Sequence, residues 1–146
     1  MTGLIIDKEQ TRTIFEAALA SDKHAYGDFF LFRLLGLQLE YADEKVSLQF
    51  RVYSFMLNPQ GTLHGGLVAT VLDIACGHLL RYFSGGPAVT VEQKIQYIAA
   101  IRSGKVHCTA QFLKRGRSIA FIEAQMRDES GQLIAAASST WKQVQG

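Results

Sequence analysis

The sequence predicts an α+β domain in which one long apolar helix lies against an antiparallel sheet. Two observations carry this. Gly65 to about Tyr82 is the longest apolar helical run of the chain, and Ser84-Gly85-Gly86-Pro87 ends it sharply. Around it lie runs with strand character, joined by turns too short for parallel crossovers. A single central helix against such a sheet is an α+β arrangement.

Taken in order, about Asp7 to Leu19 reads as a helix. Asp7 can cap it, Gln10 stands three residues on as in a capping box, and Ile14, Phe15, Ala18 and Leu19 keep helical spacing. Asp22 to Phe32, with four aromatic residues, reads either as a short second helix or as a loop packed on the core. From Leu34 the period changes to two: Leu35, Leu37, Leu39 and Tyr41 alternate with Leu34, Gly36, Gln38 and Glu40. Ala42-Asp43-Glu44 is a turn, and Val46, Leu48, Phe50 and Val52 alternate with polar residues beyond it, so a hairpin with one wet face is expected. Tyr53 to Leu63 is a loop. After the long helix come four strand-like runs, roughly Ala88–Ile98, Lys105–Leu113, Arg117–Arg127 and Leu133–Val144. Arg102-Ser103-Gly104, Lys114-Arg115-Gly116 and Asp128-Glu129-Ser130-Gly131 supply the turns. Ile119 and Phe121 lie opposite Ala120 and Ile122, so part of the sheet's second face is expected to be covered by a helix or a second subunit.

The 146 residues suit one domain. With 48% hydrophobic and 19% charged residues, the composition is that of a globular protein with a real core. A formal charge of +2 is too small to argue for nucleic acid or membrane partners. The first eight residues are too short an apolar run for a leader, and no stretch reads as a membrane span. Cys76 and Cys108 lack metal-ligand spacing and read as buried reduced thiols, which suits the cytoplasm; the four histidines suggest no metal site.

The chemistry concentrates at the start of the long helix. Adjacent Gly65 and Gly66 in a first turn expose free backbone N–H groups and let a ligand approach. The helix dipole adds positive potential, so such an end can polarise a carbonyl and stabilise an oxyanion. The same two glycines equally fit tight packing against a strand. On a helical wheel Val68, Val71, Leu72, Ala75 and Leu79 share one apolar face, and Asp73 falls on the opposite face beside Ala69, Thr70 and Gly77. A carboxylate in so apolar a helix is either a solvated surface group or a functional one. It lies nine residues past His64, roughly 13 Å along the axis, whereas a water-activating carboxylate must be within about 3 Å of its water. Asp73 therefore cannot serve the helix start of its own chain. It can serve that of a second subunit across a two-fold axis.

Asn58-x-x-Gly61-x-x-His64-Gly65-Gly66, followed by Asp73, resembles the signature of PaaI-type hotdog acyl-CoA thioesterases. Val89-Thr90-Val91-Glu92 leading to Ile95-Gln96-Tyr97, then Arg115-Gly116-Arg117, then Asp128-x-x-Gly131-x-Leu133-x-Ala135 extend the likeness. The resemblance implies a hotdog fold: a long antiparallel sheet wrapped around a central helix, with residues 1–33 as an N-terminal helical segment and 34–144 as the core of one domain. It implies Gly65 as the N–H donor to the thioester carbonyl, Asn58 as its helper, and His64 near the sulfur. Asp73 of the partner subunit would be general base or nucleophile, and Thr90 would orient the water. Many relatives carry a proline where this chain has Ala99-Ala100, which would alter a strand bend or the pocket rim.

Gly66 and the basic run Lys114, Arg115 and Arg117 are candidate contacts for coenzyme A, although that run reads equally as a solvated turn. The expected partners are acyl-CoA and further copies of the chain, as a homodimer or a dimer-of-dimers tetramer, with no cofactor or metal. A non-catalytic acyl-CoA-binding regulatory module and a hotdog dehydratase or hydratase are the competing readings.

Overall fold

The computed structural model describes residues 5–144. The expectation of no leader rests partly on residues 1–4, which lie outside the described residues. Helix α1 spans Lys8–Leu19, and its N-cap Asp7 accepts a hydrogen bond from the Gln10 backbone N–H at 3.0 Å. The reciprocal half of the expected capping box is replaced: the Asp7 N–H donates instead to the Ser54 hydroxyl at 2.9 Å. That bond ties the start of α1 to the loop before the long helix.

The aromatic stretch is loop over residues 22–29, and helix α2 begins only at Phe30 and runs to Leu34. The first strand therefore starts later than the leucine alternation suggests. Gly36 turns the chain at φ 65°, and β1 runs only from Gln38 to Ala42. Leu35 and Leu37 are buried from the connection, so their spacing reflects core contact and not strand pleat. Asp43 and Glu44, at φ 53° and 57°, form the tight two-residue turn into β2, Lys45–Arg51. A 3-10 turn, Ser54–Met56, precedes α3, Gly65–Ser84, which ends at Gly85 with φ 75°.

Strands β3 (Ala88–Tyr97), β4 (Lys105–Arg115), β5 (Ile119–Asp128) and β6 (Leu133–Gln143) complete one six-stranded antiparallel sheet of order β1-β2-β4-β5-β6-β3. The β4–β5 turn sits beyond Arg115, later than expected. Gly116 makes it possible, because a Cβ there would lie 2.4 Å from the Ile119 carbonyl oxygen.

The predicted apolar face of α3 is the centre of the core. Val68, Val71, Leu72, Ala75 and Leu79 are all buried, against Val46, Leu48, Val106, Ile122 and Met126 of the sheet. By length and composition α3 could cross a membrane, contrary to the sequence expectation, but half of it is packed inside this fold. Phe121, on the sheet face away from α3, is exposed in the single chain.

Leu72 has no exposed surface. Leu72→Ala should therefore cost about 2–5 kcal/mol, read as a lower urea midpoint with the denaturant slope unchanged.

Candidate active site

The remaining face of α3 lies along β3, an edge strand, and three hydrogen bonds join them. The Tyr97 hydroxyl donates to the Gly65 carbonyl at 2.8 Å, the Gln93 amide to the Ala69 carbonyl at 3.2 Å, and the Thr90 hydroxyl to Asp73 Oδ1 at 2.7 Å. Thr90 and Gln93 both point at the helix because the register slips between Thr90 and Glu92, leaving Val91 as an extra residue. Gln93 Oε1 is buried without a donor among the described residues, a costly arrangement for one chain alone.

At the helix start, His64 is the N-cap, and its Nδ1 accepts from the Gly66 N–H at 2.9 Å. That bond selects the tautomer with the proton on Nε2. It also occupies Gly66, one of the expected ligand contacts. The Leu67 and Val68 N–H groups both bond to the His64 carbonyl. Among the described residues, the Gly65 N–H donates to no group, so it is the free donor of the first turn. Asn58 holds its own loop: Oδ1 accepts from the Gln60 and Thr62 N–H groups, and Nδ2 donates to the Thr62 hydroxyl at 2.9 Å. Asn58 and Gly65 line one cleft of about 310 Å³ with Tyr97, and Ala99 and Ala100 form part of its wall.

Asp73 and Thr90 line a different cavity, of about 610 Å³, walled by Tyr26, Phe29, His78 and Trp141. Asp73 is half-buried and lies about 12 Å along the helix axis from Gly65. The two halves of the expected site thus occupy separate cavities of one chain. The basic run is divided. Arg115 donates to the Phe83 carbonyl in the last turn of α3 at 3.1 Å, and its guanidinium lies over the Phe112 ring. Lys114 and Arg117 are exposed.

His78 is buried and meets the Tyr41 hydroxyl through Nδ1 at 3.0 Å; burial lowers its pKa, leaving it neutral at pH 7. Gln93, Tyr97 and the chamber residues Tyr26 and Phe29 were not identifiable as site residues from the sequence. Only the inward register of β3 could have signalled the first two.

A long central helix wrapped by a six-stranded antiparallel sheet is the hotdog fold. The Thioesterase superfamily profile matches residues 60–135, and the chain belongs to that family. Human acyl-coenzyme A thioesterase 13 is 36% identical over 102 residues, 68% of this chain and 73% of its own. The medium/long-chain acyl-CoA thioesterase YigI of Escherichia coli is 27% identical over 127 residues, 75% of this chain and 82% of its own. The crystal structure of zebrafish thioesterase superfamily member 2 matches with a TM-score of 0.73 and 30% identity, over 94% of this chain and 97% of that one.

Both cysteines are free and buried, and burial is the main cause that pushes the Cys76 thiol up to about 12 and the Cys108 thiol higher still. Since the thiolate is the reactive form, the native protein at pH 8 should show no titratable thiol with a disulfide reagent. Both should react after unfolding in guanidinium.

Proposed function

We propose that this protein hydrolyses acyl-CoA thioesters to the carboxylic acid and CoA, as a single-domain chain that works in pairs. The observation that carries the reading is the Thr90–Asp73 hydrogen bond, 2.7 Å long, in the lining of an aromatic chamber. Thr90 occupies one oxygen of the carboxyl and leaves the other to accept a proton from water. The names of the relatives supply the substrate class.

In this mechanism the Gly65 N–H, aided by the helix dipole, takes the thioester carbonyl oxygen. Water held by Asp73 attacks the carbonyl carbon and gives its proton to the carboxylate. The tetrahedral intermediate collapses with cleavage of the C–S bond, and the proton passes to the departing sulfur. His64, exposed and with its proton on Nε2, is assigned to the region of that sulfur, and Asn58 lines the cleft beside the carbonyl.

The separation of Gly65 and Asp73 supports a site built from two chains, taking its carbonyl donor from one and its carboxylate from the other. The exposed side of β3, an edge strand of the sheet, leaves room for a partner beside this contact. A homodimer, or a tetramer of two such pairs, satisfies both. Lys114 and Arg117 are the free cations for the phosphates of CoA, with Arg115 partly committed to α3. The two buried free thiols suit a reducing compartment such as the cytoplasm.

Release of free thiol from acyl-CoA separates hydrolysis from dehydration and from binding alone. Asp73→Asn should lower turnover by about 10²–10⁴. Gly65→Pro removes one N–H at a helix position that favours proline, behind a residue whose backbone already suits it; it should cost about 10²–10³ in kcat. Mixed dimers of the two variants should regain one working site per pair. Wild-type turnover by Asp73→Asn, or no recovery in the mixed dimers, would sink the respective assignment.

A further inference from the structure

The residues ahead of the family match form a wall of the chamber beside Asp73. His24, Tyr26 and Phe29 line it from the connection between α1 and α2, facing Gly77, His78 and Trp141. Tyr26 meets His78 edge-on at a centroid distance of 5.5 Å, and Phe29 packs on Phe32, 5.6 Å away.

One side chain holds this wall in place. Arg33 donates from Nε to the Ala18 carbonyl at 3.0 Å, and from Nη2 to the Ser21 carbonyl at 2.8 Å. Its Nη1 reaches the Lys23 carbonyl at 3.0 Å and Asp28 Oδ1 at 2.8 Å. A planar guanidinium can satisfy four such acceptors at fixed angles, whereas an ammonium cannot. Ala25 and Asp28 then close the loop through a pair of backbone hydrogen bonds of 3.1 and 3.0 Å, with Gly27 between them at φ 79°.

The chamber has a definite chemistry. Asp73 is the one Asp, Glu, Lys or Arg among the residues that line it. His78 stands five residues beyond Asp73, about 7.5 Å further along the axis, with Nδ1 engaged by Tyr41. The Arg81 guanidinium lies behind that lining, over the Tyr26 ring at 4.9 Å, so a second carboxylate on the ligand would meet aromatic rings and the Asp73 charge before any Lys or Arg, an unfavourable burial.

We propose that residues 21–33 set the acyl specificity of the enzyme. Tyr26 and Phe29 limit the length of an uncharged acyl group that runs from Asp73 toward His78. Arg33 is a positioning residue that holds them. This rests on the reading of Asp73 as the group that activates water.

The test uses the full-length protein and straight-chain acyl-CoAs from butanoyl to palmitoyl, with adipoyl-CoA against hexanoyl-CoA. Tyr26→Ala and Phe29→Ala should each raise the palmitoyl-to-butanoyl ratio of kcat/KM by about tenfold or more. Arg33→Met should move the ratio the same way, mainly through KM, and hexanoyl-CoA should be preferred over adipoyl-CoA by at least about tenfold. Unchanged ratios in folded Tyr26→Ala and Phe29→Ala overturn the proposal. Tyr26 is more than half exposed, so its variant carries the test if Arg33→Met fails to fold.

Trp141, the one tryptophan of the chain, gives a readout independent of turnover. Free fatty acids should perturb its fluorescence with a length dependence that Tyr26→Ala relaxes. That response without turnover of any acyl-CoA keeps the chamber and removes the hydrolase reading. Turnover with no Trp141 response and no change of ratio does the reverse.

Discussion

Helix α3 is held by two unlike contacts, and everything else in the fold follows from keeping them apart. One face carries Val68, Val71, Leu72, Ala75 and Leu79 into the concave side of the sheet, where burial is complete. Apolar burial of that extent sets the rotation of the helix without any directional bond. The other face, with small residues at Gly65, Ala69 and Gly77, lies close to β3 and Trp141 and is joined by directional polar contacts. Gly77 shows how close: a Cβ there would stand 3.1 Å from the Trp141 ring. The apolar face fixes where the helix sits. The polar face uses that position to place a carboxyl oxygen and a backbone donor.

A rigid helix gives these two groups a constant separation, which no side-chain rotation can close. The proposed chemistry, which uses both, therefore calls for a second chain, and β3 as an edge strand has an unpaired side. The N-terminal segment adds a third constraint at the same place. Arg33 gathers carbonyls from the end of α1 and the loop after it, so a piece of chain with little core of its own becomes a fixed wall. The chamber wall and the central helix are thus held by different forces, a guanidinium hydrogen-bond cluster on one side and apolar packing on the other.

Much of this was legible in the residues. The apolar face of α3, its glycine-marked start and end, and the existence of all six strands follow from periodicity and turn chemistry. Asp73 stood out because a carboxylate in so apolar a helix is expensive to place. What escaped has a physical reason in each case. The first strand begins late because Leu35 and Leu37 are buried by a turn at Gly36, where a period of two arises without a pleat. The capping box is half made because Ser54, 47 residues away, supplies the acceptor for Asp7. Arg33 could not be assigned its partners, since most of them are backbone carbonyls that carry no signal in residue type. Gln93 and Tyr97 were hidden because their orientation depends on a pairing irregularity two strands of sequence cannot reveal.

That irregularity at Val91 has a wider meaning. In a regular strand, residues three apart face opposite ways, so Thr90 and Gln93 could not both address α3. The extra residue changes the phase of the pleat between them, and Trp141 and Ser139 on β6, two apart, receive them in step. The seam is therefore encoded in chain length as well as in side-chain identity. Substitutions at Val91 leave the phase intact, whereas a single-residue deletion would turn one half of the seam outward while every residue type in it remained. Related chains should accordingly vary freely in what occupies this position and hardly at all in whether it exists.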